Sequence, residues 1–331
     1  MDFEVKKLTR SGYEEFLGVL NTAFETGASD WFQRNIDNCV PFGHIASDAE
    51  IGRHFVAEAG GRIIGAVGAY PLDWEVSGEK GKAVIPAYGI GQVSCLKEYR
   101  GVGVMTALLN RAAGEMRGQG RALGFLGGDR FRYCHFGYDF GGQNLGLQFD
   151  RGRMEKRVSD EGLSVRRAGQ NDWQGLDAMY SALPSRILRG ERSWELQFLR
   201  EKFAFEIGEA GGRKAYICYH SEAGARGDIL EICGDPAAAA ALLLRHMKAN
   251  GLNGARLLAP MDTESALSRE LLSHASGMSA WPINLVAVTD AEKLAERLAP
   301  AIGDVEAKNV RELVGFYPKL LTMWHSELDD I

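Results

Sequence analysis

Residues 97–112, KEYRGVGVMTALLNRA, place an arginine and two glycines directly before a strongly apolar segment. From there onward an apolar residue recurs every four positions, at Val104, Leu108, Ala112 and Met116. This spacing predicts an amphipathic helix with one buried stripe. The glycines therefore stand where a loop passes into the first turn of a helix.

The start of this helix is a candidate site for phosphate. The first backbone N–H groups of a helix lack partners inside it, and they carry the positive end of the helix dipole. Gly101 and Gly103 leave room for a ligand. Arg100 adds a permanent positive charge, and Thr106 adds a hydroxyl. The alternative is that the glycines only make a turn, because glycines before helices are common.

The segments around this stretch predict alternating strands and helices. A helix is expected over GYEEFLGVLNTAFE, and a hairpin over HFVAEAGGRIIGAVGAYPLDWEV with its turn at Gly60 and Gly61. A short helix or turn is expected over DRFRYCHFGYDFGG. Further strand patterns cover DFEVKKLTR, VIPAYGIGQVSCL, ALGFLGG and QNLGLQFDR, the last of which closes the first unit.

The same order of elements returns in the second half of the chain. A second hairpin is expected over FAFEIGEAGGRKAYICYH, and a strand feeding a helix over DILEICGDPAAAAALLLRHMKANG. We therefore predict an α/β chain with mixed (α+β) sheets and two similar domains in tandem. The predicted parts are a first domain at 1–150, a charged linker at 151–162, a second domain at 163–290 and a C-terminal helical tail at 291–331. Thr289 and Glu292 predict a capping box at the start of the tail.

Composition narrows the class of protein. The chain has 331 residues, of which 45% are hydrophobic, and a formal net charge of -6. An acidic chain without a long basic run argues against nucleic-acid binding. The five cysteines are scattered without a CxxC pair, which disfavours a structural zinc site and favours reduced thiols in the cytoplasm. No apolar run is long enough to predict a membrane span, and the first residues lack the apolar core of a signal peptide.

The order of elements over residues 1–150 resembles the GCN5-related N-acetyltransferase (GNAT) family. That family carries an Arg/Gln-x-x-Gly-x-Gly/Ala signature between its fourth strand and third helix, which Arg100, Gly103 and Met105 match here, with Met105 replacing the usual small residue. The segments PAYGIGQVSC, YRGVGVMTALL and YCHFGYDFGG are most similar to the Enhanced Intracellular Survival (Eis) branch, which has tandem acetyltransferase-like domains.

The resemblance implies acetyl-coenzyme A as co-substrate. Val93 and Cys95, in the strand before the loop, would offer backbone groups to the pantetheine arm. The pyrophosphate would lie on the loop and the helix start, at Arg100, Gly101, Val102, Gly103, Val104 and Thr106. In the family the strands on either side of the thioester splay apart, and Gly127 and Gly128 suit such an opening.

The resemblance also implies a catalytic tyrosine. Tyr133 stands in Y-x-x-F-G-Y, where the family has its general acid, and its phenol would protonate the leaving thiolate. The alternative is a packed tyrosine, which we expect for Tyr138. We expect Cys134 to be packing and His135 to be at the surface, so no covalent nucleophile is predicted.

Several other residues are weaker candidates for the active site. His44 and His54 are possible bases, although a lone histidine is more often structural. Asp129 matches an acidic position near the acyl site in the Eis-like pattern, but it could equally cap the turn after it. Trp31 and Phe32 lie where this fold often lines the acceptor site, although a core position suits them equally.

The second domain lacks the Arg-x-x-Gly loop. In its place stands EICGDPAAAA, where Asp235 would repel a pyrophosphate, so we expect this domain to have kept the fold without the coenzyme site. The Eis-type branch also places a C-terminal carboxylate in its acceptor site. The analogue here would be Ile331, to which we assign no role because this tail is much shorter.

The function predicted from these features is an acetyl-coenzyme A-dependent N-acetyltransferase acting on a primary amine, either a small molecule or a lysine. Two alternatives stay open, namely a longer-chain acyltransferase and a non-catalytic sensor that binds coenzyme A. We predict no metal, nucleic-acid or membrane partner. The acceptor, the general base and the oligomeric state are not predicted.

Overall fold

The structure is a computed structural model that describes residues 2–26, 46–260, 262, 264–315 and 321–324. It has two mixed sheets with helices packed against them, in agreement with the predicted α/β class. Within the described residues, no helix is long and apolar enough to cross a membrane.

The first sheet begins with four antiparallel strands. Both Gly60 and Gly61 have positive φ at the predicted hairpin turn. The strand β4 then runs parallel to β5. The strands are β1 (Glu4–Lys7), β2 (His54–Ala59), β3 (Arg62–Gly78), β4 (Gly81–Cys95), β5 (Leu123–Leu126) and β6 (Asp139–Gly141).

Helices cover both faces of this sheet. The buried residues of one helix, α1 (Tyr13–Ala23), pack on one face together with β2 and β3. A short helix, α2 (Asp48–Ile51), precedes β2. The predicted apolar helix is α3 (Val104–Gly118), and its four stripe residues are buried against the opposite face. The hydrophobic periodicity of residues 97–116 therefore predicted this helix and its buried side correctly.

The second sheet has seven strands in the order β14-β7-β13-β12-β11-β10-β8. Its predicted hairpin is present, with Gly211 and Gly212 at the turn. The strands are β7 (Asn144–Asp150), β8 (Ser164–Arg167), β10 (Phe203–Ala210), β11 (Arg213–His220), β12 (Asp228–Gly234), β13 (Gly254–Pro260) and β14 (Gly277–Trp281). Its helices are α5 (Arg151–Met154), α6 (Trp173–Tyr180), α7 (Glu191–Leu199), α8 (Pro236–Ala249) and α9 (Ala266–His274).

The two sheets exchange strands. β7 closes the first unit in sequence, but it pairs with β13 and β14 of the second sheet. In return, β15 (Asn284–Val288) lies between β5 and β6 of the first sheet. The sheets therefore do not follow the division predicted at residues 151–162. Local sequence shows that these segments are strands, but their partners lie more than a hundred residues away.

The segments at the predicted linker and tail pack against the two sheets. In the linker, Met154 is buried in the core of the second sheet, and Asp160 forms ion pairs with Arg245 and Lys248 of α8. The tail helices cover the first sheet, where they complete the core around Trp74 and Phe125. They are α10 (Ala291–Ile302) and α11 (Val310–Val314).

The predicted capping box at the start of the tail is wrong. Asp290 is the N-cap of α10, and its carboxylate accepts a hydrogen bond from the Lys293 N–H at 3.0 Å. The Thr289 hydroxyl instead donates to the Arg121 carbonyl at 2.8 Å, because β15 ends beside β5. A short strand, β9 (Arg186–Ile187), and the C-terminal β16 (Leu321–Thr322) both pair with β3.

Candidate active site

The site lies where β4 and β5 separate. The two parallel strands pair over only three residues, from Ala87 opposite Leu123 to Gly89 opposite Phe125. β4 continues to Cys95, whereas β5 ends at Leu126. The backbone groups of β4 beyond Gly89 therefore face an opening on the β5 side instead of a neighbouring strand.

The glycine-arginine loop leads from β4 to the start of α3. Gly101 and Gly103 have φ values of 82° and 89°, which side chains disfavour. A Cβ at either position would meet no atom within 4 Å, so their backbone conformation, and not close packing within the chain, requires glycine. Gly103 is the N-cap of α3 and supplies no side-chain cap. The Nε of Arg100 donates to the Cys95 carbonyl at 3.4 Å, which keeps the guanidinium beside the end of β4.

A cavity of about 700 Å³ lies along this loop. Its wall carries two cations, Arg100 and Arg132, and no carboxylate among the described residues. Val102 and Tyr133 are not part of the wall. Seven of the predicted binding residues line it, namely Val93, Cys95, Arg100, Gly101, Gly103, Val104 and Thr106.

Tyr133 belongs to a hydrophobic core cluster against which two residues of the cavity wall, Val93 and Cys95, are packed. It ends the short helix α4 (Arg130–Tyr133), and its side chain is buried. A Cβ on Gly128 would lie 2.8 Å from the Tyr133 ring, so glycine is needed there for close approach. Burial raises the pKa of Tyr133 above its usual value, while the neighbouring Arg132 acts in the opposite direction. The phenol therefore stays protonated near neutral pH and can donate a proton.

The structure places several other candidates. The Asp129 carboxylate accepts a hydrogen bond from the Phe131 N–H at 2.9 Å and so caps α4. Cys134 is half-buried, His135 is exposed and Tyr138 is buried. Four more candidates, namely Trp31, Phe32, His44 and Ile331, lie outside the described residues.

His54 is not accessible for proton exchange with a substrate. Its side chain is fully buried, and burial lowers its pKa to about 4. The ring packs between Phe16 and Tyr70, and both of its nitrogens have neighbours in hydrogen-bond range. The ring is therefore a neutral part of the core, as the structural alternative for this histidine predicted.

The corresponding place in the second sheet is closed. β12 and β13 also pair over a short stretch, with Asp228 opposite Arg256 and Ile229 opposite Leu257. Trp324 and side chains of α9 fill the space beyond, where a cavity of only about 20 Å³ remains. Asp235 caps α8 by accepting from the Ala238 N–H at 3.0 Å. The N-cap position is therefore an aspartate in α8, whereas it is a glycine, Gly103, in α3.

Sequence reasoning missed part of the cavity wall. Ala23 and Phe24, at the end of α1, line it together with Tyr99. No local motif marks these residues, because α1 lies about seventy residues before the loop. Arg132 also lines the wall, and its position directly before Tyr133 was a signal that could have identified it. In the described residues, no group of three or more His, Cys, Asp or Glu side chains could hold a metal ion.

Residues 4–141 match the family model of the Acetyltransferase (GNAT) domain. Among curated proteins, none matches the sequence. Similar solved structures include a GCN5-related N-acetyltransferase from Kribbella flavida, which is 18% identical with a TM-score of 0.65 and is matched over 89% of this chain and 74% of its own.

Two further structures are similar over most of the chain. A probable N-acyltransferase from Enterococcus faecalis V583 is 16% identical with a TM-score of 0.69, over 90% of this chain and 75% of its own. Eis1 from Mycobacterium abscessus is 16% identical with a TM-score of 0.64, over 91% of this chain and 76% of its own. The chain therefore carries a GNAT acetyltransferase domain at residues 4–141, and over most of its length it has the fold that these structures, Eis1 among them, share.

Proposed function

We propose that the chain transfers an acetyl group from acetyl-coenzyme A to a primary amine by direct attack. The observation that carries this proposal is the cavity of about 700 Å³ that joins the open side of β4 to the uncapped start of α3. Its wall offers what the co-substrate requires, with backbone groups for the pantetheine amides and unpaired N–H groups and Arg100 for the pyrophosphate.

The chemistry then needs one acid. The amine nitrogen attacks the thioester carbonyl carbon, a C–N bond forms, and the C–S bond breaks with its electron pair on sulfur. Tyr133 donates its phenolic proton to that sulfur. The nitrogen sheds one proton and the Tyr133 phenolate takes up one, so the charges balance. Arg132 beside Tyr133 stabilises the transient phenolate.

The second sheet has no equivalent of this site in the described residues, because its strand opening is filled and its helix start is capped. We infer that the second domain serves as a wall and a support, and that each chain has one coenzyme site. The acidic net charge favours a cationic acceptor only weakly.

The test of the site is a calorimetric titration with acetyl-coenzyme A. We expect micromolar binding by the wild-type chain and its loss in Gly103→Asp, because the new carboxylate would lie at the phosphate position. Gly103→Asn is the matched control, since it has nearly the same shape and the same positive φ but no charge. Equal binding by the two variants would contradict the pyrophosphate assignment.

The test of the reaction is release of coenzyme A thiol in the presence of a panel of amines. We expect Tyr133→Phe to lower kcat at least tenfold while binding of acetyl-coenzyme A stays within about twofold. A sensor that only binds the coenzyme would show binding without any thiol release. Unchanged turnover in Tyr133→Phe would remove Tyr133 from the mechanism.

A further inference from the structure

We propose that a buried chain of polar side chains, His54, Tyr70 and Gln92, fixes the bulge in β4 that presents the next residues to the cavity. Tyr70 and His54 are then positioning residues for acyl transfer, far from the reacting atoms. The predicted effect on turnover rests on the proposed function, whereas the predicted effect on the conformation of β4 does not.

The bulge follows the last residue that β4 pairs with β5, and it includes Val93, the first residue of β4 that lines the cavity. In the pairing of β3 with β4, Ala66 lies opposite Ser94 and Gly68 lies opposite Gly91. Val67 therefore faces two residues, Gln92 and Val93. Gln92 has a φ of 48°, in the left-handed region that a glutamine rarely adopts. Neighbouring groups must hold this conformation, because an isolated chain would leave it.

Tyr70 is the neighbour that reaches Gln92. Its hydroxyl contacts the side-chain amide of Gln92, and both residues are buried. The same hydroxyl lies 2.8 Å from Nε2 of His54. A Cβ on Gly68 would overlap the Tyr70 hydroxyl, so this glycine, next to the residue that faces the bulge, makes room for the contact.

The protons in this chain of side chains have one consistent arrangement. Nδ1 of His54 lies 2.9 Å from the Ile51 carbonyl, which can only accept, so Nδ1 carries the proton of the neutral ring. Nε2 then accepts the single phenolic proton of Tyr70. The structure places Oε1 of Gln92 against the Tyr70 hydroxyl, but that hydroxyl has no second proton to donate once His54 accepts the first. We therefore assign the Gln92 amide the opposite orientation, with its N–H donating to the Tyr70 oxygen. The contact with Tyr70 then fixes the orientation of the Gln92 side chain.

The bulge determines how the last residues of β4 face the cavity. Val93 belongs to the bulge, Ser94 and Cys95 follow it directly, and all three line the wall. The direction in which their backbone groups point depends on the φ of Gln92. Loss of the Tyr70 hydroxyl frees the Gln92 side chain and lets the bulge relax or shift register.

The first experiment measures hydrogen exchange of residues 90–95 in the full chain without ligand. We expect Tyr70→Phe to exchange at least tenfold faster there than the wild type. The matched control is Tyr219→Phe in β11. Tyr219 is also buried, its ring contacts the ring of His246, and its hydroxyl donates a hydrogen bond to Glu206 at 2.8 Å. The control should leave exchange at residues 90–95 unchanged. Unchanged exchange in Tyr70→Phe would overturn the proposal.

The second experiment measures kcat/KM for acetyl-coenzyme A well below the melting temperature of each variant. We expect a fall of about tenfold in Tyr70→Phe and less than twofold in Tyr219→Phe, although both variants remove the hydroxyl of a buried tyrosine. Faster exchange with unchanged kcat/KM would also overturn the positioning role. If the wild type neither binds nor turns over acetyl-coenzyme A, the proposed function fails, and the exchange experiment alone then decides whether this chain of side chains fixes the bulge.

Discussion

At the scale of single residues, burial decides which titratable groups can act. His54 and Tyr133 are both buried, but burial shifts their pKa values in opposite senses. For a phenol, burial disfavours the charged form and keeps the proton that a general acid needs. For an imidazole, burial disfavours the charged form, so the ring loses its second proton and is neutral near pH 7. The same physical cause therefore suits Tyr133 to donate a proton and makes His54 a neutral acceptor.

The depressed pKa of His54 predicts a loss of stability in mild acid. Its pKa is about 4 in the folded chain, against 6.5 for an unperturbed histidine, so between these values the unfolded chain binds more protons. The free energy of unfolding should be highest above pH 6.5 and should fall by about 3 kcal/mol toward pH 4 from this residue alone. Denaturant unfolding at four pH values between 7 and 4 measures this slope.

Other groups titrate in the same range, so the comparison with His54→Phe isolates the contribution of this residue. The variant should be less stable at pH 7, because it removes one contact of the Tyr70 hydroxyl and the contact of the imidazole with the Ile51 carbonyl. Its stability should fall less steeply between pH 6.5 and 4. Parallel curves for the two proteins would show that His54 does not titrate on unfolding.

Sequence could predict the residues of the loop because their conformations are local. Gly101 and Gly103 adopt the positive φ that suits glycine, and the buried stripe of α3 follows from its spacing. Ala23 and Phe24 were missed because their place in the cavity wall depends on how α1 packs against elements far away in the sequence. The chain of His54, Tyr70 and Gln92 was missed for the same reason, since it joins three different strands.

At the scale of elements, the two helix starts differ in one feature. Gly103 leaves the first N–H groups of α3 without a side-chain cap, whereas the Asp235 carboxylate occupies that position on α8. A capping side chain and a bound anion compete for the same N–H groups. The first helix is thus available to a ligand, and the second gains its stability from its own residue.

Asp235→Ala should therefore destabilise the chain by about 1 kcal/mol, the usual effect of losing an N-cap. Its affinity for acetyl-coenzyme A should not change, because α8 does not contribute to the wall of the coenzyme cavity. Asp290→Ala, at the start of α10, is the control for loss of a cap elsewhere. Thermal unfolding and titration of both variants measure the two effects. A change in coenzyme affinity in Asp235→Ala alone would place α8 in the binding site.

The elements that sequence predicted well are those whose partners are adjacent in the chain. Both hairpins turn at their Gly-Gly pairs, where two residues of positive φ suit a tight turn. β7 and β15 were recognised as strands but not placed, because an apolar strand pattern carries no information about its partner. Pairing between strands so far apart depends on the complete core, and no short segment contains that information.

At the scale of the whole molecule, the exchanged strands make the two sheets depend on each other. Trp74 of β3 donates hydrogen bonds to Ser185 and to the Trp324 carbonyl at 3.1 and 3.0 Å, in a buried seam between the sheets. The chain also leaves each sheet and enters the other, because β7 pairs in the second sheet and β15 pairs in the first. We therefore expect the full chain to unfold in one cooperative transition, since neither sheet keeps its core when the other is lost.

This dependence predicts that residues 1–150 alone will not fold. Such a fragment lacks β15, which pairs with β5 over four residues and with β6 over three. It also lacks α10 and α11, so Trp74 and Phe125 would lose the cover that these helices provide. We expect the fragment to lack a cooperative unfolding transition by circular dichroism and to elute as an expanded or aggregated species. A monomer with a sharp transition would contradict this prediction.

A second shortened chain, which keeps β15, tests whether the loss of this strand or the shortening itself prevents folding. The Ile283 N–H donates to the Gly141 carbonyl at 3.2 Å. The two ends of the segment that forms the second sheet therefore lie side by side. Joining Gln143 to Pro282 through a few glycines would delete the second sheet and keep β15, which could then pair with β5 and β6. This chain should recover a cooperative transition that the 1–150 fragment lacks, at lower stability than the full chain because the seam around Trp74 is incomplete. Equal disorder in both chains would mean that the second sheet, and not the strand, holds the first domain together.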